Sequence, residues 1–91
     1  MNEIRRAILE AAIRHFGKGH QWAKAIEELS ELIRALARSD DAENIAEEMA
    51  DVRIMLDQLE IIYGNHRQVR TYELQKLKRL DGIVHAADEV K

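Results

Sequence analysis

The sequence predicts an all-α protein, an antiparallel helical bundle of about four helices completed by oligomerisation. Three observations point there. The chain has no proline, its apolar residues recur at intervals of three and four, and its glycines, Gly17, Gly19, Gly64 and Gly82, punctuate it at the expected breaks. Its 91 residues make one domain, 1–91, and a chain this short buries only a modest core by itself. With 46% apolar residues but one Phe, two Tyr and one Trp, that core must be mostly aliphatic.

The first helix is expected from Asn2 or Glu3 to about Phe16, with Ile4, Ile8, Ala12 (or Leu9, Ile13) and Phe16 on one broad face, and Gly17-Lys18-Gly19 ends it. The second runs from about His20 to Arg38, its seam written by Trp22, Ile26, Leu29, Ile33 and Leu36 at alternating intervals of four and three. Between Arg38 and Glu43 the apolar spacing lapses. Asp40 followed three residues later by Glu43 reads as a capping box that starts a new helix. The third helix extends from about Asp41 to Tyr63, with Ile45, Met49, Val52, Leu56, Leu59 and Tyr63 as its stripe and Gly64 as a left-handed C-cap. Asn65 and Gln68 then look like the N-cap and capping partner of a fourth helix beginning near His66, whose pattern of Val69, Tyr72, Leu77, Leu80 and Ile83 is looser.

Two hexads carry the chemistry. Glu27-Glu28-Leu29-Ser30-Glu31-Leu32 is nearly repeated twenty positions on as Glu47-Glu48-Met49-Ala50-Asp51-Val52. In each, two carboxylates stand three apart, Glu28 with Glu31 and Glu48 with Asp51, so a helix puts both on one face about a turn apart. The pairs are equidistant from the turn at Ser39 and Asp40. In an antiparallel hairpin they therefore come to the same height, roughly 15 Å from the bend. Four carboxylates converging beside an apolar seam repel one another and raise their own pKa values unless a cation sits among them. Hard oxygen donors without Cys or His point to magnesium, with manganese as a substitute, more than to zinc.

Other residues stand near that site. Lys24 precedes Glu28 by one turn and either pairs with it or reaches a phosphate on a ligand. Gln21 and Trp22 lie at the helix start, where an aromatic ring can stack on a base, although a lone Trp on an apolar stripe is more often core. Lys76 and Arg79 share a face of the fourth helix and can hold phosphates across a bundle, or simply form a solvated cationic face. His15, His20, His66 and His85 show no metal-ligand spacing and read as surface or boundary residues.

Several classes are disfavoured. A net charge of -3, mixed in sign, recruits neither a nucleic-acid polymer nor an anionic membrane. No apolar run approaches the roughly 20 residues of a membrane span, and the opening residues lack the apolar core of a signal peptide. The lack of cysteine removes disulfides and thiolate sites. Cytoplasm is the expected location.

The four acidic positions, with Lys24, Glu27, the Ala50-Asp51 context and the later Lys76 and Arg79, resemble the MazG-type nucleoside triphosphate pyrophosphohydrolases, of an all-α superfamily shared with dimeric dUTPases. The similarity spans about Gln21 to Arg79. It departs at Leu80-Asp81-Gly82, where members of that family often continue the basic stretch. The resemblance implies magnesium held by Glu28, Glu31, Glu48 and Asp51, and hydrolysis of a nucleoside triphosphate between its α and β phosphates. Glu28 or Glu27 would orient or deprotonate the attacking water. It also implies a homodimer or homotetramer, which the small core favours independently.

Two other readings compete. A di-iron carboxylate bundle requires Glu-x-x-His on two helices, and no Glu here is followed by His at that interval. A non-enzymatic helical oligomerisation or nucleotide-binding module predicts acidic residues turned to solvent, away from any seam.

Overall fold

The computed structural model describes residues 1–89, with side chains through residue 86. It has four helices, α1 (Glu3–Phe16), α2 (Lys18–Ala37), α3 (Ala42–Tyr63) and α4 (His66–Glu89), and no strand among the described residues. Asn2 caps α1, its side-chain oxygen accepting from the Arg5 amide at 2.7 Å. Gly17 alone separates α1 from α2 and holds φ 92°, a conformation that any Cβ would strain. The helix therefore breaks there and resumes at once, taking Lys18 and Gly19 into α2.

The α2–α3 turn differs in detail from the capping box expected at Asp40. Asp41 is the N-cap, its Oδ1 accepting from the Asn44 amide at 2.8 Å. Asp40 instead accepts from Arg38 at 3.1 Å and from the Asn44 side-chain amide at 2.8 Å, tying both sides of the turn together. Ser39 occupies the left-handed position that closes α2, with φ 56°. Gly64 does the same for α3 at φ 62°, and the Asn65 amide reaches back to the Glu60 carbonyl. The Asn65 side chain makes no N-cap to α4, for its buried Oδ1 has no hydrogen-bond partner.

Packing centres on α2 against α3, with α1 laid across both and α4, among the described residues, set against α3. The buried face of α2 is Gln21, Ala25, Glu28 and Ala35; α3 contributes Val52, Met55 and Gln58, and α1 contributes Leu9 and Ile13. This corrects the seam expected for α2, because Trp22, Ile26, Leu29, Ile33 and Leu36 are all exposed in the chain, Ile33 by 66%. At 100° per residue the apolar arc of α2 spans roughly 200°, more than one antiparallel neighbour can cover. Small residues win the contact. Ala25 and Ala35, each 1% exposed, let the backbones approach, and the large side chains are left on the flank. Met49, Leu56 and Tyr63 of α3 are exposed likewise, as are Ile4, Ile8 and Phe16 of α1 and the apolar residues expected to line α4. The Trp22 indole donates to the Tyr63 hydroxyl at 3.1 Å, so the uncovered stripes of α2 and α3 lie on the same side of the hairpin. Among the described residues, no helix is long and apolar enough to cross a membrane.

Candidate metal centre

Three carboxylates meet in the α2–α3 seam. Glu28, Glu48 and Asp51 each place an oxygen within 4.8 Å of the others, and Glu28 belongs to a second such group with Glu27 and Glu31. The two triads thus share one residue, donated by α2 from a buried position. Antiparallel register brings them together, because Glu28 and Asp51 stand at matched distances from the turn. All four of the acidic residues singled out by spacing fall in this one cluster, with Glu27 added on its α2 edge.

Burial makes the arrangement costly without a ligand. Glu28 is 8% exposed, and Oε2 of Glu28 and Oε2 of Glu48 are both buried with no hydrogen-bond partner. An orphaned buried acceptor of this kind costs about 1–3 kcal/mol, and more when charged. Burial pushes the Glu48 carboxyl above its ordinary range, and the neighbouring charges of Glu31, Asp51, Glu28 and Glu47 push it further. The seam has been given anionic oxygens that the protein itself does not satisfy. An all-oxygen donor set aimed into one space fits a hard divalent cation such as magnesium.

Lys24 supplies the only cation paired with the cluster among the described residues. Its Nζ lies 3.1 Å from Glu28 and 3.7 Å from Glu27. The hydrogen bond to Glu28 raises the ammonium pKa, with the charges of Glu27, Glu28 and Glu31 adding to it. Lys24 neutralises the accessible side of Glu28 and leaves the other oxygen, Oε2, bare. Its side chain is 42% exposed, so the ammonium faces both the cluster and solvent.

The remaining candidate residues are placed elsewhere. Gln21 is buried, donating to Gln58 Oε1 at 2.8 Å, while its own Oε1 accepts from His20 Nδ1 at 2.8 Å. Trp22 lies on the uncovered flank, bonded to Tyr63. Lys76 and Arg79 are exposed on α4 and form no ion pair among the described residues. All four histidines are exposed. Gln58 escaped the sequence reading, although it stands seven residues beyond Asp51 on the same face of α3, as Gln21 stands seven before Glu28 on α2. Arg5 and Asp57 escaped it too. Their 2.7 Å ion pair fastens α1 to α3, and nothing in local spacing signals a partner so distant in the chain.

No protein-family model matches this chain, and neither a curated protein nor a solved structure matches it significantly. The functional reading therefore rests on the residues and their geometry.

Proposed function

We propose that the protein is a magnesium-dependent nucleoside triphosphate pyrophosphohydrolase of the MazG type, acting in the cytoplasm as a homodimer or homotetramer. The observation that carries this is the convergence of Glu28, Glu48 and Asp51 from two helices, with two buried carboxylate oxygens that lack any partner. Glu31 and Glu27 extend the donor set around Glu28. A bound divalent ion would supply charge neutralisation on the phosphates and a lowered pKa for the attacking water. Glu28, Glu31, Glu48 and Asp51 would hold it. Glu28 or Glu27, which is exposed beside it, would accept the proton from water as the bond between the α and β phosphates breaks, giving nucleoside monophosphate and pyrophosphate. Lys24 would exchange its carboxylate partners for a phosphate oxygen when substrate enters.

A second reading is a helical oligomerisation module whose acidic cluster is only a cation site. The wide uncovered apolar flank favours it. Product analysis separates the two. Purified protein is incubated with a panel of standard and modified nucleoside triphosphates plus magnesium, beside a Glu48→Gln, Asp51→Asn double variant. Monophosphate and pyrophosphate from the parent alone are expected. Diphosphate and orthophosphate would move the cleaved bond, and no turnover with a magnesium-dependent rise in melting temperature would favour the module.

A further inference from the structure

The two acidic triads differ in that one of them already holds a positive charge. Lys24, Glu27, Glu28 and Glu31 recur at intervals of three and four, which places them on one face of α2. The Lys24 ammonium lies 3.1 Å from Glu28 Oε1 and 3.7 Å from Glu27 Oε1. Among the described residues it pairs with neither Glu48 nor Asp51, and the buried Oε2 atoms of Glu28 and Glu48 keep no partner. One triad, Glu28 with Glu48 and Asp51, is open, and the other, Glu27 with Glu28 and Glu31, is occupied. The contact made by Lys24 is a weak way to stabilise a helix. The lysine precedes the glutamates, which is the poorer order, and its side chain is 42% exposed. A flexible stem that reaches both solvent and a buried carboxylate suits a counter-charge that can leave.

We infer that Lys24 is a placeholder cation: it holds the triad of Glu27, Glu28 and Glu31 against a metal ion until a phosphate draws the ammonium away, so that the two triads fill in a fixed order. This deepens the reading of the cluster as a divalent-cation site and rests on it. The open triad takes an ion without any ion pair being broken. The occupied triad does not, because a divalent ion needs its carboxylate oxygen at about 2.1 Å. The Lys24 ammonium, held 3.1 Å from an oxygen of Glu28, would then face a like charge across a few ångströms. Lys24 must leave first, and in leaving it gives up two carboxylate partners. A polyphosphate offers the ammonium new acceptors of the same charge. The free protein therefore does not gather two ions around Glu28, and the second position opens when phosphate arrives.

Manganese binding to the full chain, followed by electron paramagnetic resonance without nucleotide, tests this. The parent is expected to bind one ion per chain tightly and to show the spectrum of an isolated ion. Lys24→Met, close in length but uncharged, should bind a second ion at least about tenfold more tightly than the parent does. Its two ions should be spin-coupled, because Glu28 belongs to both triads. Lys24→Arg keeps the charge and should behave as the parent, an outcome that a role in packing alone does not predict. Lys24→Gln gives the same readout if the Met variant fails to fold. With an α,β-methylene nucleoside triphosphate bound, the parent should show the coupled pair as well. Two ions of equal affinity on the parent without nucleotide, a single ion on both uncharged variants, a second ion on Lys24→Arg, or a parent left uncoupled with the analogue bound would each overturn the placeholder and leave the metal site standing. No ion on any of these proteins would overturn both.

Discussion

The α2–α3 seam contains two buried polar layers about 10 Å apart along the helices, and they are treated in opposite ways. In one, the Gln21 amide donates to Gln58 Oε1 and accepts from His20, which completes the chain of bonds. In the other, Glu28 and Glu48 each keep a buried oxygen with no partner. The same two helices, at matched registers, hold a finished network and an unfinished one. Neutral amides at the first layer bond in pairs and need nothing else. Ionised carboxylates at the second accept only, so they cannot satisfy one another without a proton or a cation between them.

The largest expected effect comes from the residue common to both acidic triads. Glu28→Gln keeps the shape but removes the shared charge, and should lower turnover by about a thousandfold or more while abolishing the magnesium-induced rise in melting temperature. Steady-state rates with a reactive triphosphate and calorimetric scans at several magnesium concentrations check both. Retained magnesium stabilisation in this variant would break the contrast between the layers.

Next in size is the amide layer. Gln21→Leu leaves Gln58 buried with an unmet acceptor and should cost about 1–3 kcal/mol of stability in urea unfolding. Adding Gln58→Leu should return much of that loss, because two apolar groups of similar shape replace the pair. If the amide layer sets register, the repaired double variant should regain stability without regaining full magnesium affinity. A double variant with normal affinity would assign register to the remaining packing and the turn.

The turn itself ranks third. Asp41→Ala removes the α3 cap and should cost about 1 kcal/mol. The turn lies roughly 15 Å from the carboxylates, so magnesium titrations should show an unchanged dissociation constant. A weakened one would mean that the bend, and not the seam, aligns Glu28 with Asp51.

How much of this was legible in the sequence differs between the two layers as well. The duplicated hexads gave away the carboxylates because acidic residues at a repeated helical interval are conspicuous among apolar ones, and helix geometry then places them at one height. Gly64 and the lapse after Arg38 marked the breaks correctly, because a left-handed position and a missing apolar period are local properties. The choice of buried face was not local. Large apolar residues suggested the Trp22 to Leu36 stripe, yet the contact formed on Ala25 and Ala35. Close approach of two helices rewards small side chains, and apolar residues at helical spacing mark a stripe without marking which arc of it a neighbouring helix covers. Gln58 was hidden for the same reason. A polar residue on a buried face looks like a surface residue until its partner is known. The shift from Asp40 to Asp41 as the cap reflects competition, since Asp40 is already occupied by Arg38 and Asn44.

The smallest expected effect is the sharpest in sign. Burial, with Glu31 and the other neighbouring carboxylates adding to it, raises the Glu48 pKa above its usual 4.5 in the folded chain. The folded state therefore holds that proton more tightly than the unfolded state does. Stability from this group is fully present below pH 4.5 and is lost as pH rises through the raised value. A bound magnesium ion would demand the opposite, since it takes the deprotonated cluster, and its stabilisation should grow with pH and vanish in acid. Melting curves of the parent, with magnesium and with chelator, should draw together as pH falls. Glu48→Gln should melt higher than the parent at neutral pH in chelator, and the gap should close in acid, where the parent carboxyl is protonated too. Comparing these two proteins cancels every pH dependence that they share. A variant that melts lower than the parent at neutral pH would show that the seam satisfies Glu48 without a cation, and the difference between its two polar layers would disappear.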